Sequence, residues 1–162
     1  MLKKPFIIIA AFIWFFSLPL WSGDADPIMP GPKDRCPVCG MFVAKYPDFI
    51  AIISFNDGTR AFFDGVKDMM KYYLNLRKYA PSKKAGNVAS IYVTDYYTMN
   101  LVDGVKAVYV AGSDVYGPMG RELIPFEKQG KAEEFIKDHD GKEVFKFFEI
   151  TPEIVKGLDA RQ

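Results

Sequence analysis

Asn56-Asp57-Gly58 separates two apolar runs, Phe49 to Phe55 (FIAIISF) and Thr59 to Phe63, and no other stretch constrains the fold as much. Glycine tolerates the positive φ that tight hairpin turns demand, so the two runs are expected to pair as neighbouring antiparallel strands. Asp64 follows. It is placed to cap a helix whose apolar positions Val66, Met69, Met70, Tyr73, Leu74 and Leu76 recur near helical spacing, and which stops before Pro81. Ser90 to Thr94 (SIYVT) reads as a further strand. The second half repeats this order. Val105 to Ala111 (VKAVYVA) and Arg121 to Phe126 (RELIPF) read as strands. A helical pattern runs from Gly130 to Asp138 with Ala132, Phe135 and Ile136 on one face, and Val144 to Ile150 (VFKFFEI) reads as the last strand. Identities repeat only weakly, as in FFDGVKDM at 62–69 and LVDGVKAV at 101–108, so the duplication is one of element order. The expected fold class is α+β, with two similar ββαβ halves carrying small antiparallel sheets, residues 36–95 and residues 96–162.

The chain opens with an address. Lys3 and Lys4 precede an almost wholly apolar stretch from Phe6 to Leu20, broken near its end by Pro19. That layout fits a secretory signal peptide over residues 1–25, with Gly23 and Ala25 as the small residues before a cleavage point. An uncleaved N-terminal anchor is the alternative, although the apolar run is short for a membrane span. No Cys follows the run in LPLWSGDADP, as a lipoprotein would require. The protein is therefore expected to be exported, to a periplasm, with membrane association possible only through this segment. Residues 26–35 (DPIMPGPKDR) are rich in Pro and Gly without periodicity and read as a linker.

Composition closes off several classes of function. With 21 Lys+Arg against 20 Asp+Glu, the chain has no electrostatic footprint for nucleic acid and no polybasic face for anionic lipid. A single His excludes a site built from several imidazoles, and two Cys supply neither a disulfide framework nor a four-thiolate zinc site. No Ser-His-Asp order, phosphate loop or paired-carboxylate pattern stands out. Asp57, Asp64 and Asp103 sit beside glycines, as turn and cap residues do.

What remains is Cys36-Pro37-Val38-Cys39-Gly40-Met41, the one dense cluster of reactive side chains. The two-residue spacing brings both sulfurs to one point, and Gly40 lets the backbone fold past them with its amides turned inward. Such knuckles normally make half of a zinc site, and the second half is missing. Met41 adds a thioether; a set of thiolates and a thioether is soft, and softness selects Cu(I) over Mg, Ca or Mn. Three other readings stay open. The pair could close a disulfide, though a four-residue loop gains little chain entropy from it. It could be a redox-active CxxC, though a Pro-rich linker and not a strand precedes it. It could be a partial zinc site, with His139 as the other available ligand. His139 ends the second helix, where a cation pairs well with the helix dipole. Met69 and Met70 fit gap-filling core use, and Met29 and Met99 carry no signature. Met119, in the turn Gly117-Pro118-Met119-Gly120, is equally open to a ligand and to a plain turn reading.

CPVCGM at 36–41, FFDG at 62–65, VKAVYVAGS at 105–113, GPMGRELIPF at 117–126 and the stretch from Ala132 to Ile150 together resemble the NosL family, accessory proteins of nitrous oxide reductase. The resemblance covers most of the chain after the leader. It implies two ββαβ halves and a periplasmic, non-enzymatic Cu(I) metallochaperone. It implies delivery of copper to a cuproenzyme client, nitrous oxide reductase and its copper–sulfide centre, together with an ABC-type maturation complex. Carried over residue by residue, the metal ligands fall on Cys36, Cys39 and Met41, with the Met-Gly motif on Met119 and Gly120. Copper could bind a monomer or bridge two chains. The competing classes are a thiol–disulfide oxidoreductase acting on a copper protein, general copper scavenging, and a structural subunit docking on a transporter with its CxxC oxidised.

Overall fold

A computed structural model describes residues 29–160; the segment read as a leader or anchor lies outside the described residues. Eleven elements of regular structure follow the Cys-containing turn. They are β1 (Ala51–Phe55), β2 (Arg60–Phe63), α1 (Val66–Leu74), α2 (Leu76–Tyr79), β3 (Val88–Thr94), β4 (Leu101–Asp103), β5 (Val108–Gly117), β6 (Gly120–Phe126), α3 (Gln129–Asp138), β7 (Glu143–Lys146) and α4 (Pro152–Ala160). One sheet has the order β2-β1-β3-β4 and the other β6-β5-β7, and every pairing is antiparallel. In each sheet the first strand of the half lies in the middle, flanked by its hairpin partner and by the strand that returns after the helix. The fold is α+β, and the repeated element order read in the sequence is a repeated topology.

The hairpin of β1 and β2 pairs Ala51 with Phe63 and Ser54 with Arg60. Gly58 takes the positive φ of 81° that its turn requires, and Asp57 stabilises the turn by accepting the Thr59 N–H at 3.1 Å. Asp103 makes the analogous turn, accepting the Val105 N–H at 2.9 Å. That turn delays β5, which begins at Val108, three residues later than the apolar run suggests. At the other boundaries 3-10 turns replace strand: Pro47–Phe49 precedes β1, and Phe147–Glu149 ends the run beginning at Val144.

Two elements were not expected. β4 adds an edge strand to the first sheet, pairing Val102 with Val93, and α4 buries Val155 and Leu158 against the core. The larger of two apolar clusters joins β1, β2 and α1 to Tyr109, Ala111, Leu123, Phe147, Val155 and Leu158. The smaller holds Val108, Val110, Ile124 and Phe126 under Ala132 and Phe135 of α3. Alternation along β5 explains the split, since successive side chains point to opposite faces. The second sheet is thus buried on both faces, with α3 on one side and the first half on the other. Among the described residues no helix is long and apolar enough to cross a membrane.

Candidate metal centre

The Cys turn is closed like a miniature hairpin. Arg35 bridges Phe42, the Cys36 N–H donates to the Met41 carbonyl at 2.9 Å, and the Gly40 N–H donates to the Cys36 carbonyl at 2.9 Å. Gly40 has φ +81°, a left-handed conformation that favours glycine. The Arg35 guanidinium lies 3.7 Å from the centre of the Phe42 ring and donates to the Gly40 carbonyl at 2.7 Å, locking the turn from outside. Folded this way, the Cys39 and Val38 amides face the Cys36 sulfur and the Met41 amide faces the Cys39 sulfur. Cys36 is 2% exposed, Cys39 is partly exposed, and both are free thiols.

Two carboxylates complete the pocket. Cys36 Sγ donates to Asp68 Oδ2 at 3.5 Å, and Cys39 Sγ donates to Asp64 at 3.2 Å to Oδ1 and 3.4 Å to Oδ2. The four ligand atoms all lie within 4.8 Å of one another. Ligands about 2.3 Å from a shared ion stand at most about 4.6 Å apart, so one ion could draw on the whole set after small adjustments. Burial pushes both thiols up, and the neighbouring carboxylates add to it against the pull of the knuckle amides. Cys39 is raised to about 12 and Cys36 higher still. Both sulfurs therefore hold their protons at neutral pH until something displaces them.

The carboxylates overturn two expectations. Asp64 does not cap α1: Gly65 occupies the cap position without any side-chain cap bond, and the Asp64 carboxylate turns to Cys39. The donor set is also less purely soft than the Cys/Met pattern alone suggests. Asp68, missed in the sequence, stands four residues after Asp64. That spacing across a helix start was the one available signal that both could face the same point.

A charge network running from buried Lys67 and Asp68 out to Lys71 and Asp159 ties this pocket to the second half. Lys71 pairs with Asp68 at 3.1 Å and with Asp159 of α4 at 2.9 Å. Lys67, on the first turn of α1 and 0% exposed, pairs with Asp159 at 3.2 Å and donates from Nζ to the Met119 carbonyl at 2.6 Å. Met119 stands at the tip of the β5–β6 hairpin, 36% exposed, and Met41 is partly buried directly after the knuckle.

The remaining sequence candidates lie elsewhere. His139 caps the end of α3 through its N–H to the Phe135 carbonyl, stacks on the Phe135 ring at 4.5 Å, and sets Nδ1 3.0 Å from Asp114 Oδ1. It is a satisfied helix-end histidine in the smaller cluster. Met69 and Met70 are wholly buried core, while Met29 and Met99 are exposed.

Comparison with known proteins agrees with this architecture. A sequence model of the NosL family matches residues 27–155. The copper-binding lipoprotein NosL of Stutzerimonas stutzeri is 25% identical over 145 residues, an alignment covering 85% of this chain and 72% of the relative. The crystal structure of the copper chaperone NosL from Shewanella denitrificans superposes with a TM-score of 0.67 at 23% identity, covering 78% of this chain and 96% of that one. The fold is shared, the family match spans both halves including the Cys turn, and the chain belongs to the NosL family.

Proposed function

We propose that the protein is a periplasmic metallochaperone that carries Cu(I) as cargo on Cys36 and Cys39, with Met41 and Met119 as thioether ligands. The observation that carries this reading is the convergence of two free thiols, one deep and one partly exposed, in a pocket small enough for one ion. Membership of a family with a copper-binding relative supports copper as the metal. Thiolates suit Cu(I), and the two carboxylates stand where the displaced thiol protons are already hydrogen-bonded. Thioethers weaken and open such a site, which suits a carrier whose metal must leave by exchange. The client is a cuproenzyme, nitrous oxide reductase during assembly of its copper–sulfide centre, reached with an ABC-type maturation complex. Export through the N-terminal segment brings the chain to that compartment.

The redox-enzyme reading meets a specific obstacle. A catalytic CxxC works through a depressed thiol pKa, commonly at a helix N-terminus. Here burial and two carboxylates raise both thiols, and the knuckle is a closed turn with no helix following the first sulfur.

The deciding experiment is anaerobic Cu(I) titration of the reduced protein against a competing chelator. One Cu(I) per one or two chains is expected, with binding lost when Cys36→Ser and Cys39→Ser are combined. Full affinity in that double variant would reject the site; insulin reduction by the wild type, without Cu(I) binding, would move the assignment to the oxidoreductase.

A further inference from the structure

Two motifs far apart in the sequence, FFDG at 62–65 and GPMG at 117–120, meet around one buried carboxylate. Glu122 of β6 is 3% exposed, and its Oε1 accepts the N–H of Lys67 on α1 and the N–H of Leu123 at 2.9 Å. A methyl group at Gly65 would overlap Glu122 Oε2, and one at Gly117 would lie 3.0 Å from the same atom. The two glycines therefore give clearance: the start of α1 and the base of the hairpin tip close on the carboxylate from two sides. Lys67 returns the connection, sending Nζ to the Met119 carbonyl at 2.6 Å. On either side of this bracket stand the two acceptors of the thiols, Asp64 just before Gly65 and Asp68 just after Lys67.

A fully buried ammonium is costly unless its donors are used, and a core-filling role would be met by an apolar side chain. Lys67 spends its donors joining three elements, α1, the hairpin tip and α4 through Asp159. We propose that Lys67 is a positioning residue of the metal site: with Glu122, it fixes the Gly117–Gly120 turn against α1 so that the Met119 thioether is presented to the Cys36/Cys39 pair. The inference rests on the Cu(I) reading above, and on Met119 being one of the ligands.

A double-mutant cycle tests it. Cu(I) affinity is measured by chelator competition on wild type, Lys67→Leu, Met119→Leu and the combined variant, with the number of sulfurs around copper read by X-ray absorption. Outer partners that orient metal ligands typically contribute about 10-fold or more in affinity. Each single change is expected to weaken binding about 10-fold, and the combined variant to be no weaker than either. Lys67→Leu should lose the same sulfur neighbour as Met119→Leu, and Lys67→Arg should restore it. Should Lys67→Leu not fold, Gly117→Ala applies the displacement from the other side, by crowding Glu122. Wild-type affinity and sulfur count in Lys67→Leu, or independent losses that multiply in the combined variant, overturn the positioning role while leaving the copper site intact. Unchanged affinity in Met119→Leu, with binding still lost on removing the cysteines, overturns Met119 as ligand and the bracket's role with it. No Cu(I) binding by the wild type overturns the copper reading itself.

Discussion

Changing Glu122 to Gln isolates the energetic cost of the carboxylate that holds the two halves together. Burial pushes the Glu122 carboxyl from its ordinary value of 4.5 up to about 8, with the Leu123 and Lys67 amides and the Lys67 charge pulling part of the way back. The sign follows from linkage. In the unfolded chain the group ionises near pH 4.5, whereas the folded protein holds the proton until about pH 8. The stability this group contributes is full below pH 4.5 and is lost as pH rises toward 8. Each pH unit inside that window removes up to about 1.4 kcal/mol, so the interval from pH 5 to pH 8 removes about 3–4 kcal/mol. Glu122→Gln keeps an oxygen acceptor for both amides and cannot ionise. Urea denaturation followed by circular dichroism at pH 5 and pH 8 reads the difference. The wild type should lose about 3–4 kcal/mol more than the Gln variant between the two conditions. Equal losses in the two proteins would refute the raised pKa and the burial argument behind it.

Other expectations follow from the same contacts. Asp64→Asn removes a negative charge that helps hold the Cys39 thiol near 12. Iodoacetamide should then alkylate Cys39 severalfold faster at pH 8, and an unchanged rate would remove Asp64 from the thiol's surroundings. Phe135→Ala empties the centre of the smaller cluster, where Phe135 is 0% exposed among Tyr96, Phe126 and His139. A loss of about 3–5 kcal/mol in denaturant unfolding is expected with Cu(I) affinity retained, and a loss below about 1 kcal/mol would show the cluster to be slack.

Much of this architecture is visible in the sequence because it rests on local chemistry. Asn56-Asp57-Gly58 announces its hairpin, since few residues accept the φ that Gly58 adopts. The helical spacing of Ala132 and Phe135 announces α3 and its buried face. CPVCGM announces a closed turn because the residue spacing alone converges the sulfurs. What the sequence hides is whatever long-range contact decides. Asp64 before a helix reads as a cap, and only the docking of the Cys turn onto α1 diverts its carboxylate to Cys39. Lys67, Asp68 and Glu122 are polar residues in stretches whose charges ordinarily face water, yet all three are buried. Their partners come from the Cys turn, α1, α4 and the β5–β6 hairpin, which no one-dimensional pattern records. β4 and α4 were missed for a related reason: three residues in one case and a two-residue apolar face in the other give too short a period to read.

The unequal depth of the two sulfurs gives any transfer from this pocket a direction. An incoming thiol or thioether can approach along the open flank of Cys39, while Cys36 lies walled behind it. Were the pair to hold Cu(I) as proposed, Cys39 would be the first ligand replaced and Cys36 the last. An acceptor of the proposed cargo would then have to approach the knuckle on the Cys39 flank.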